Sequence, residues 1–313
     1  MEKMRTVVIV GATATGKSEL ALRLAKALGG EIISGDSMQI YRGMDIGTAK
    51  PSTEERTEIP HHLIDIADIQ EEFSVAVFIN KATEAARDIT KRGRMPIIVG
   101  GTGMYIDLLL SGRILTDMES DERLRRELFE RAEREGCERL HDFLRSVDPA
   151  AASEIHPNNV KRVVRALEIY HSSGKTKTEQ QELSKRGKSM FDYKLLYLTS
   201  SSRPFLYDRI NERVEKMLAA GLEREARTLY DKGLAQTKTA SQAIGYKEFF
   251  PLFENKTNIA AVTDEIKKNT RNYAKRQMTY FNRLSNRAEL DIYTEGTDRI
   301  FKRAHTMCAE PRI

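Results

Sequence analysis

The sequence predicts an α/β fold built on a parallel sheet with an all-helical insertion, and three observations carry that prediction. First, short β-favouring runs alternate with helical patterns through the first hundred residues. Second, residues 6–10 form a β-favouring run that leads into Gly11-Ala12-Thr13-Ala14-Thr15-Gly16-Lys17-Ser18, and residues 19–28 then read as a helix. Third, the composition changes between residues 117 and 190, where Glu and Arg alternate as on solvated helices. Residues 1–116 and 191–313 are therefore read as the α/β core, and 117–190 as a helical insertion.

Residues 11–18 follow the pattern G-x-x-x-x-G-K-S, and the strand, loop and helix context is the one a phosphate-binding loop requires. Its glycines let the backbone wrap an anion with successive N–H groups pointing inward. The helix N-terminus adds positive potential. Lys17 supplies a full charge, and Ser18 a hydroxyl able to ligate Mg²⁺. The plain alternative is a Gly-rich turn before an ordinary helix. The motif does not say which phosphate is held.

Gly29-Gly30 ends the first helix, and residues 31–34 read as the second strand. Asp36 follows at that strand's C-terminal end, where open parallel sheets bind ligands. It reads two ways: a site carboxylate near the phosphate loop, if the two strands are neighbours, or an Asx turn or helix cap. Residues 42–72 look irregular, with Gly43, Gly47, Pro51 and Pro60. His61 and His62 are adjacent and point in different directions, with no third ligand at a recognisable spacing, which disfavours a metal site. Residues 73–91 are helical in pattern, with Val75, Phe78, Ile79, Ala82 and Ala86 as the apolar stripe.

Residues 96–99 form a short buried strand that runs into Gly100-Gly101-Thr102-Gly103. A common P-loop NTPase has an Asp after such a strand to hold Mg²⁺. Its absence argues against a motor or switch ATPase and for a transferase whose loop holds a leaving group. A helix-entry turn is the plain reading of the same four residues. Residues 158–170 form a helix with Val160, Val163, Val164 and Leu167 on its apolar face. Lys161, Arg162 and Arg165 lie on and beside the other face, as a solvated surface or a nucleic-acid contact. Residues 172–188 are expected to be a mobile loop. A strand at 194–198 is followed by helices at 204–219, 222–232 and 258–284 and an edge strand at 288–293. On the last helix Lys268, Arg271 and Lys275 share a stripe, and Asn272, Arg276 and Arg283 the next. Tyr273, Tyr280 and Phe281 are interleaved, so a nucleic-acid path and a surface helix with core aromatics both remain open.

A chain of 313 residues with 40% hydrophobic residues can bury a core, and its formal charge of +5 is compatible with nucleic acid without being diagnostic. Cys137 and Cys308 are too few for a thiolate zinc site and suggest no disulfide framework. The chain opens Met1-Glu2-Lys3-Met4-Arg5 without the shape of a secretory signal, and no apolar run is long enough to span a bilayer. A soluble, cytoplasmic protein with no membrane partner is expected.

Several collinear stretches together resemble the tRNA dimethylallyltransferases, also called tRNA isopentenyltransferases. They are the phosphate loop, Asp36-Ser37-Met38-Gln39-Ile40-Tyr41, Met44 to Pro51, Pro60 to Asp65 and Val99 to Tyr105. His156-Pro157-Asn158 with Lys161-Arg162, Ile244-Gly245-Tyr246 and Thr270 to Gln277 complete the set. The resemblance implies a P-loop kinase-like core, a helical insertion that grips an anticodon stem-loop, and Mg²⁺ without ATP consumption. The implied reaction moves a dimethylallyl group from dimethylallyl diphosphate to N6 of adenosine 37 in tRNA. Met104 stands where Leu is frequent, and Tyr280 where Trp is frequent.

By the resemblance Asp36 is the candidate base, Thr102 a partner of the diphosphate and Lys17 a stabiliser of the departing charge. The diphosphate cradle is Gly11, Ala12, Thr13, Ala14, Thr15, Gly16, Lys17 and Ser18, joined by Arg213, with Arg209 beside it. Ser18 is the metal-side ligand. RNA contacts are expected from Asp36, Ser37, Met38, Gln39 and Thr102, and from Lys161, Arg162, Val163, Val164 and Arg165. Weaker carry-overs are Arg125 and the run Ser241, Gln242, Ala243, Ile244, Gly245, Tyr246. A monomer is expected. A small-molecule kinase, with Asp36 serving as the metal carboxylate, and a non-catalytic RNA-binding protein are the competing readings. The intact Gly16-Lys17-Ser18 argues against the second.

Overall fold

The computed structural model describes residues 3–113, 121–185 and 187–309, and these fall into two compact units: 1–110 with 190–313, and 111–189. In the first unit the strands are β1 (Met4–Gly11), β2 (Gly30–Ser34), β3 (His61–His62), β4 (Met95–Gly100), β5 (Phe191–Thr199) and β6 (Arg287–Asp291). They form one sheet, all parallel, in the order β3-β2-β4-β1-β5-β6. The central strands are apolar runs because helices cover both faces.

Alternation along the strands sorts the core. Val7 and Ile9 of β1 face one side with Ile32, Ile97 and Leu196, under α1 (Lys17–Leu28). Val8 and Val10 face the other side with Ile33, Ile98 and Leu195. There they meet α3 (Val75–Lys91) and α4 (Gly103–Ser111), which follow α2 (Thr53–Glu58). Strand β6 is an edge strand, as the sequence predicts.

Three segments differ from expectation. Residues 42–72 contain α2 and β3. A capping box starts α2, with the Ser52 hydroxyl accepting from the Glu55 N–H and the Glu55 side chain accepting from the Ser52 N–H. Residues 172–188, expected as a mobile loop, contain α9 (Lys177–Ser184), started by the same device at Thr176 and Glu179. Their polar composition hid a capping signal that the spacing carried.

The second unit is all-helical. Before α9 it holds α5 (Glu122–Glu135), α6 (Cys137–Val147), α7 (Pro149–Glu154) and α8 (Val160–Ser173). Its core is built on Leu128, Leu140, Leu144, Val163, Val164 and Leu167. The first unit ends with α10 (Arg203–Ala219), α11 (Leu222–Asp231), α12 (Phe250–Phe253), α13 (Ile259–Phe281) and α14 (Thr297–Ala309). The sequence reading did not anticipate α14, although its buried Ile300, Ala304 and Cys308 recur at helical spacing. Among the described residues no helix is long and apolar enough to cross a membrane.

Candidate active site

The site lies at the C-terminal ends of β1, β2 and β4, roofed by α10 and α13. On the β1 side the chain turns through the phosphate loop. Thr15 Oγ1 donates to the Ala12 carbonyl at 2.8 Å, and Ala14 sits at φ 63°, a left-handed backbone unusual for a residue with a Cβ. Gly16 caps α1, so the free N–H groups of its first turn open onto the site. Lys17 folds back, its Nζ donating to the Ala12 carbonyl at 2.6 Å, while Arg209 Nε on α10 holds the Ala14 carbonyl at 2.9 Å.

The electrostatics of this side run strongly positive. Enclosure by protein pushes Lys17 down to about 7; the neighbouring Arg213 guanidinium adds to the shift, and the Asp36 carboxylate opposes it. Burial lowers Arg213 as well, again opposed by Asp36. Two cations thus share a recess with one carboxylate, an arrangement that an entering anion relieves.

Asp36 reaches this recess by a different route from the one expected. Strands β1 and β2 are not neighbours, because β4 lies between them. The two loops converge all the same: Asp36, Lys17, Ser18 and Thr13 line one small cavity with Gly100 and Gly101 at the end of β4. Asp36 Oδ1 also accepts from the Met38 N–H at 2.8 Å, so the Asx turn and the site carboxylate are the same residue. Thr102 Oγ1 accepts from the Ser37 N–H at 3.1 Å and Thr102 immediately precedes α4, so the Gly100–Gly103 turn is a helix entry that also ties the β4 end to the Asp36 loop. Gln39 is structural in part, its Nε2 donating to the carbonyls of Thr48 and Ala49.

A second, larger cavity of about 250 Å³ opens beside the first and shares Thr13, Asp36, Arg213 and Tyr273 with it. Its wall is mixed. Val214, Met217, Ile244 and Ile266 form an apolar side, and Ser37, Gln242, Lys247, Thr270 and Arg276 are among the polar residues of the rest. Burial, with the Asp36 charge beside it, pushes the Tyr273 hydroxyl up to about 12, against the opposing influence of Thr102, Arg276 and Gln277. It therefore stays a neutral donor throughout the physiological range. On the same helix Phe281 is a core residue, as the core-aromatic reading of α13 expects, while Tyr273 and Arg276 face the cavity.

Several expected contact residues have other work. Tyr246 is fully buried, and its hydroxyl donates to Glu225 Oε1 at 2.7 Å. The same Glu225 carboxylate accepts from the N–H groups of Ile46 and Gly47. A Cβ on Gly47 would lie 2.5 Å from the Tyr246 ring, so only glycine fits there. Tyr246 thus shapes the cavity wall from behind and does not meet RNA, a correction to the expectation. Ser241 is also buried and off the cavity, while Gln242, Ala243, Ile244 and Gly245 line it.

In the helical unit Val163 and Val164 are core residues at 0% and 1% exposure, which corrects the expected side-chain contact. The spacing that made them an apolar face in the sequence already excluded them from the surface. Lys161, Arg162 and Arg165 are exposed. Arg125 is engaged by the buried Glu168, Nε to Oε1 at 2.8 Å, and by Glu122. His61 Nδ1 lies 2.7 Å from the Ile59 carbonyl, and His62 Nε2 lies 2.7 Å from Glu31.

Sequence reasoning missed Glu225 and gave Gln277 no role. Gln277 lies one turn beyond Tyr273 and is a buried amide, a polar residue at an apolar position of the helix stripe. That mismatch was the available signal.

A parallel sheet with a phosphate-loop sequence, no acidic residue directly after β4 and a carboxylate facing two basic side chains defines a P-loop-like α/β protein. The comparisons narrow this class. The family described as IPP transferase matches residues 39–284, and the chain belongs to it. It is 50% identical over 277 residues to a tRNA dimethylallyltransferase of Geobacillus thermodenitrificans (strain NG80-2), covering 88% of this chain and 87% of that one. A tRNA dimethylallyltransferase of Halalkalibacterium halodurans is 45% identical over 307 residues, covering 98% and 97% of the two chains. Among solved structures, the full-length tRNA isopentenylpyrophosphate transferase of Bacillus halodurans superposes with a TM-score of 0.73 at 44% identity, covering 98% of this chain and 96% of that one. A eukaryotic dimethylallyltransferase acting on tRNA gives a TM-score of 0.79 at 32% identity, covering 96% of this chain and 77% of that one.

Proposed function

We propose that this protein transfers a dimethylallyl group from dimethylallyl diphosphate to N6 of adenosine 37 in tRNA and releases diphosphate. The observation that carries the reading is the charge pattern across one recess. Lys17 and Arg213 share a small cavity with Asp36, this cavity adjoins a larger one with an apolar side, and no carboxylate directly follows β4. Lys17, Arg213 and the N–H groups at the start of α1 bind the diphosphate and stabilise the charge it gains as it leaves. Val214, Met217 and Ile266 give the allyl tail a dry wall.

The adenine amine is a weak nucleophile, since its lone pair is delocalised into the ring. Asp36 accepts its proton as the N6–C1 bond forms and the C1–O bond to diphosphate breaks. Thr102 and the neutral Tyr273 hydroxyl supply hydrogen bonds between the two reactants. To reach the recess the base must leave its stack, so tRNA is bound with adenosine 37 turned out.

Ser18 lines the small cavity beside Lys17, and its hydroxyl would hold a Mg²⁺ carried chiefly by substrate phosphates and water. Such an ion would supply charge neutralisation to the leaving diphosphate. Lys161, Arg162 and Arg165 offer exposed cations for the RNA backbone. The protein is expected to act as a monomer in the cytoplasm.

The test is incubation with dimethylallyl diphosphate, Mg²⁺ and unmodified tRNA. The expected result is a mass gain of one dimethylallyl group on adenosine 37. Unchanged tRNA, with ATP hydrolysed or its phosphate transferred to a small acceptor, would overturn the reading in favour of a kinase.

A further inference from the structure

Helix α13 crosses the ends of β1 and β4, and one of its side chains is bonded to both. Gln277 Oε1 accepts from the Thr13 N–H of the phosphate loop at 2.9 Å. Its Nε2 donates to the Gly101 carbonyl at 3.0 Å. Gln277 is 5% exposed and lies one turn beyond Tyr273 on α13. The fit is close: a Cβ on Gly101 would lie 2.2 Å from Gln277 Nε2, so any larger residue there must push the amide aside.

This bridge joins the two halves of the recess. On one side is the loop carrying Lys17 and Ser18. On the other, Gly101 is followed by Thr102, whose hydroxyl accepts from the Ser37 N–H beside Asp36. The strands themselves are tied, since β4 pairs with β1 on one side and β2 on the other, but beyond the strand ends the Thr13 loop and the Gly101–Thr102 turn are joined through Gln277. Gln277 is also poorly placed to be a ligand itself. Its oxygen is taken by Thr13 and its nitrogen by Gly101, and the Thr13 N–H is correspondingly withdrawn from the anion.

We infer that Gln277 is a positioning residue that locks the phosphate loop to the Asp36–Thr102 wall and so fixes the distance between diphosphate and base. This inference rests on the proposed prenyl transfer for its kinetic consequence, though not for its structural one. Gln277→Leu keeps an apolar side chain of similar reach and removes both hydrogen bonds. Each half of the site stays intact, and their register loosens.

The expected result is a fall in kcat of roughly 10–100-fold, the scale of an ångström-sized misplacement. KM for dimethylallyl diphosphate and Kd for inorganic pyrophosphate, read by titration calorimetry, should stay within about threefold. The Thr13 amide should exchange its proton markedly faster. Gly101→Ala, which displaces Nε2 from the other side, should give the same kinetic pattern and serves if Gln277→Leu does not fold. The inference is overturned if kcat is unchanged, or if pyrophosphate affinity falls as far as kcat, which would make Gln277 part of the cradle itself. Should the wild-type protein not prenylate tRNA, the proposed function fails alone. The bridge is then judged by Thr13 exchange, and unaltered protection in Gln277→Leu overturns it.

Discussion

The two ends of β2 carry acidic residues five positions apart with opposite fates. At the N-terminal end Glu31 is 1% exposed and saturated with partners. Arg92 grips both its oxygens, Arg94 Nη1 reaches Oε1 at 3.0 Å, and His62 sits at 2.7 Å. Hydrogen bonds from Arg92, ahead of those from His62 and Arg94, outweigh burial and hold its carboxyl down to about 2. Beyond the C-terminal end Asp36 faces Lys17 and Arg213, and Lys17 spends its hydrogen bond on a backbone carbonyl. The first cluster is neutralised by the protein; the second keeps an excess of positive charge in a recess. Charge that the chain balances for itself marks structure, and charge that it leaves unbalanced marks a place for a ligand.

The sharpest break in this comparison is Asp36→Ala. It should lower the single-turnover rate by roughly 10²–10⁴ as a lost general base does, with tRNA affinity largely kept. A near-normal rate would remove Asp36 from the chemistry.

Lys17→Met comes next. It should weaken pyrophosphate binding by about tenfold or more, since a charge-assisted contact is lost. It should also raise the thermal midpoint at pH 6. The sign follows from linkage: the folded pKa near 7 lies below the unfolded value of 10.5, so the unfolded chain binds the extra proton between them. Lysine burial therefore costs stability fully below pH 7, and that cost fades as pH rises toward 10.5. A midpoint gain that is equal at pH 6 and pH 10 would contradict it. In the wild type, pyrophosphate binding at pH 8 should take up protons, visible as a binding enthalpy that changes with buffer ionisation.

Glu31→Gln probes the other end. It should destabilise the fold by about 2–3 kcal/mol, less than a fully buried pair would because Arg92 and Arg94 reach water, and leave kcat per folded molecule unchanged. The contribution of Glu31 is present above pH 4.5 and lost as pH falls toward 2, so acid unfolding of the wild type should steepen in that window and flatten in the Glu31→Gln variant. The smallest effect is expected at Lys161→Ala and Arg162→Ala. Each should reduce the salt slope of tRNA affinity by about one without moving the thermal midpoint. Val163→Ala beside them should do the reverse, lowering the midpoint through a core cavity and sparing the slope.

Much of this molecule was legible in its residues. The phosphate loop, β5, β6 and the long α13 followed from local patterns whose physics is short-ranged. The absent acid after Val99 correctly turned attention from ATP to a leaving group. What stayed hidden was set by chain reversal in three dimensions. The order β2-β4-β1 cannot be read from strand patterns, so the meeting of Asp36 with Lys17 was expected for a reason the sheet does not supply. Glu225 serves the Ile46–Gly47 backbone from a helix 178 residues away from Gly47, and no local signal marks it. Val163 and Val164 were the opposite case: their period placed them in the core, and the carry-over of a whole segment obscured it.

The strand between β1 and β2 has one more consequence. Neighbouring strands lie about 4.8 Å apart, so loops on β1 and β2 leave the sheet roughly 10 Å from each other. The sheet thus acts as a ruler laid between leaving group and base, with Gly100 and Gly101 keeping the middle mark bare. Every prenyl diphosphate presents its first carbon at the same distance from its diphosphate, whatever the length of its tail. The ruler is therefore blind to tail length, and selection among prenyl donors falls to the apolar wall of Val214, Met217 and Ile266. Trimming Met217→Ala should broaden donor use while leaving the rate with the five-carbon donor nearly intact, so donor choice and catalytic register are separately adjustable parts of one recess.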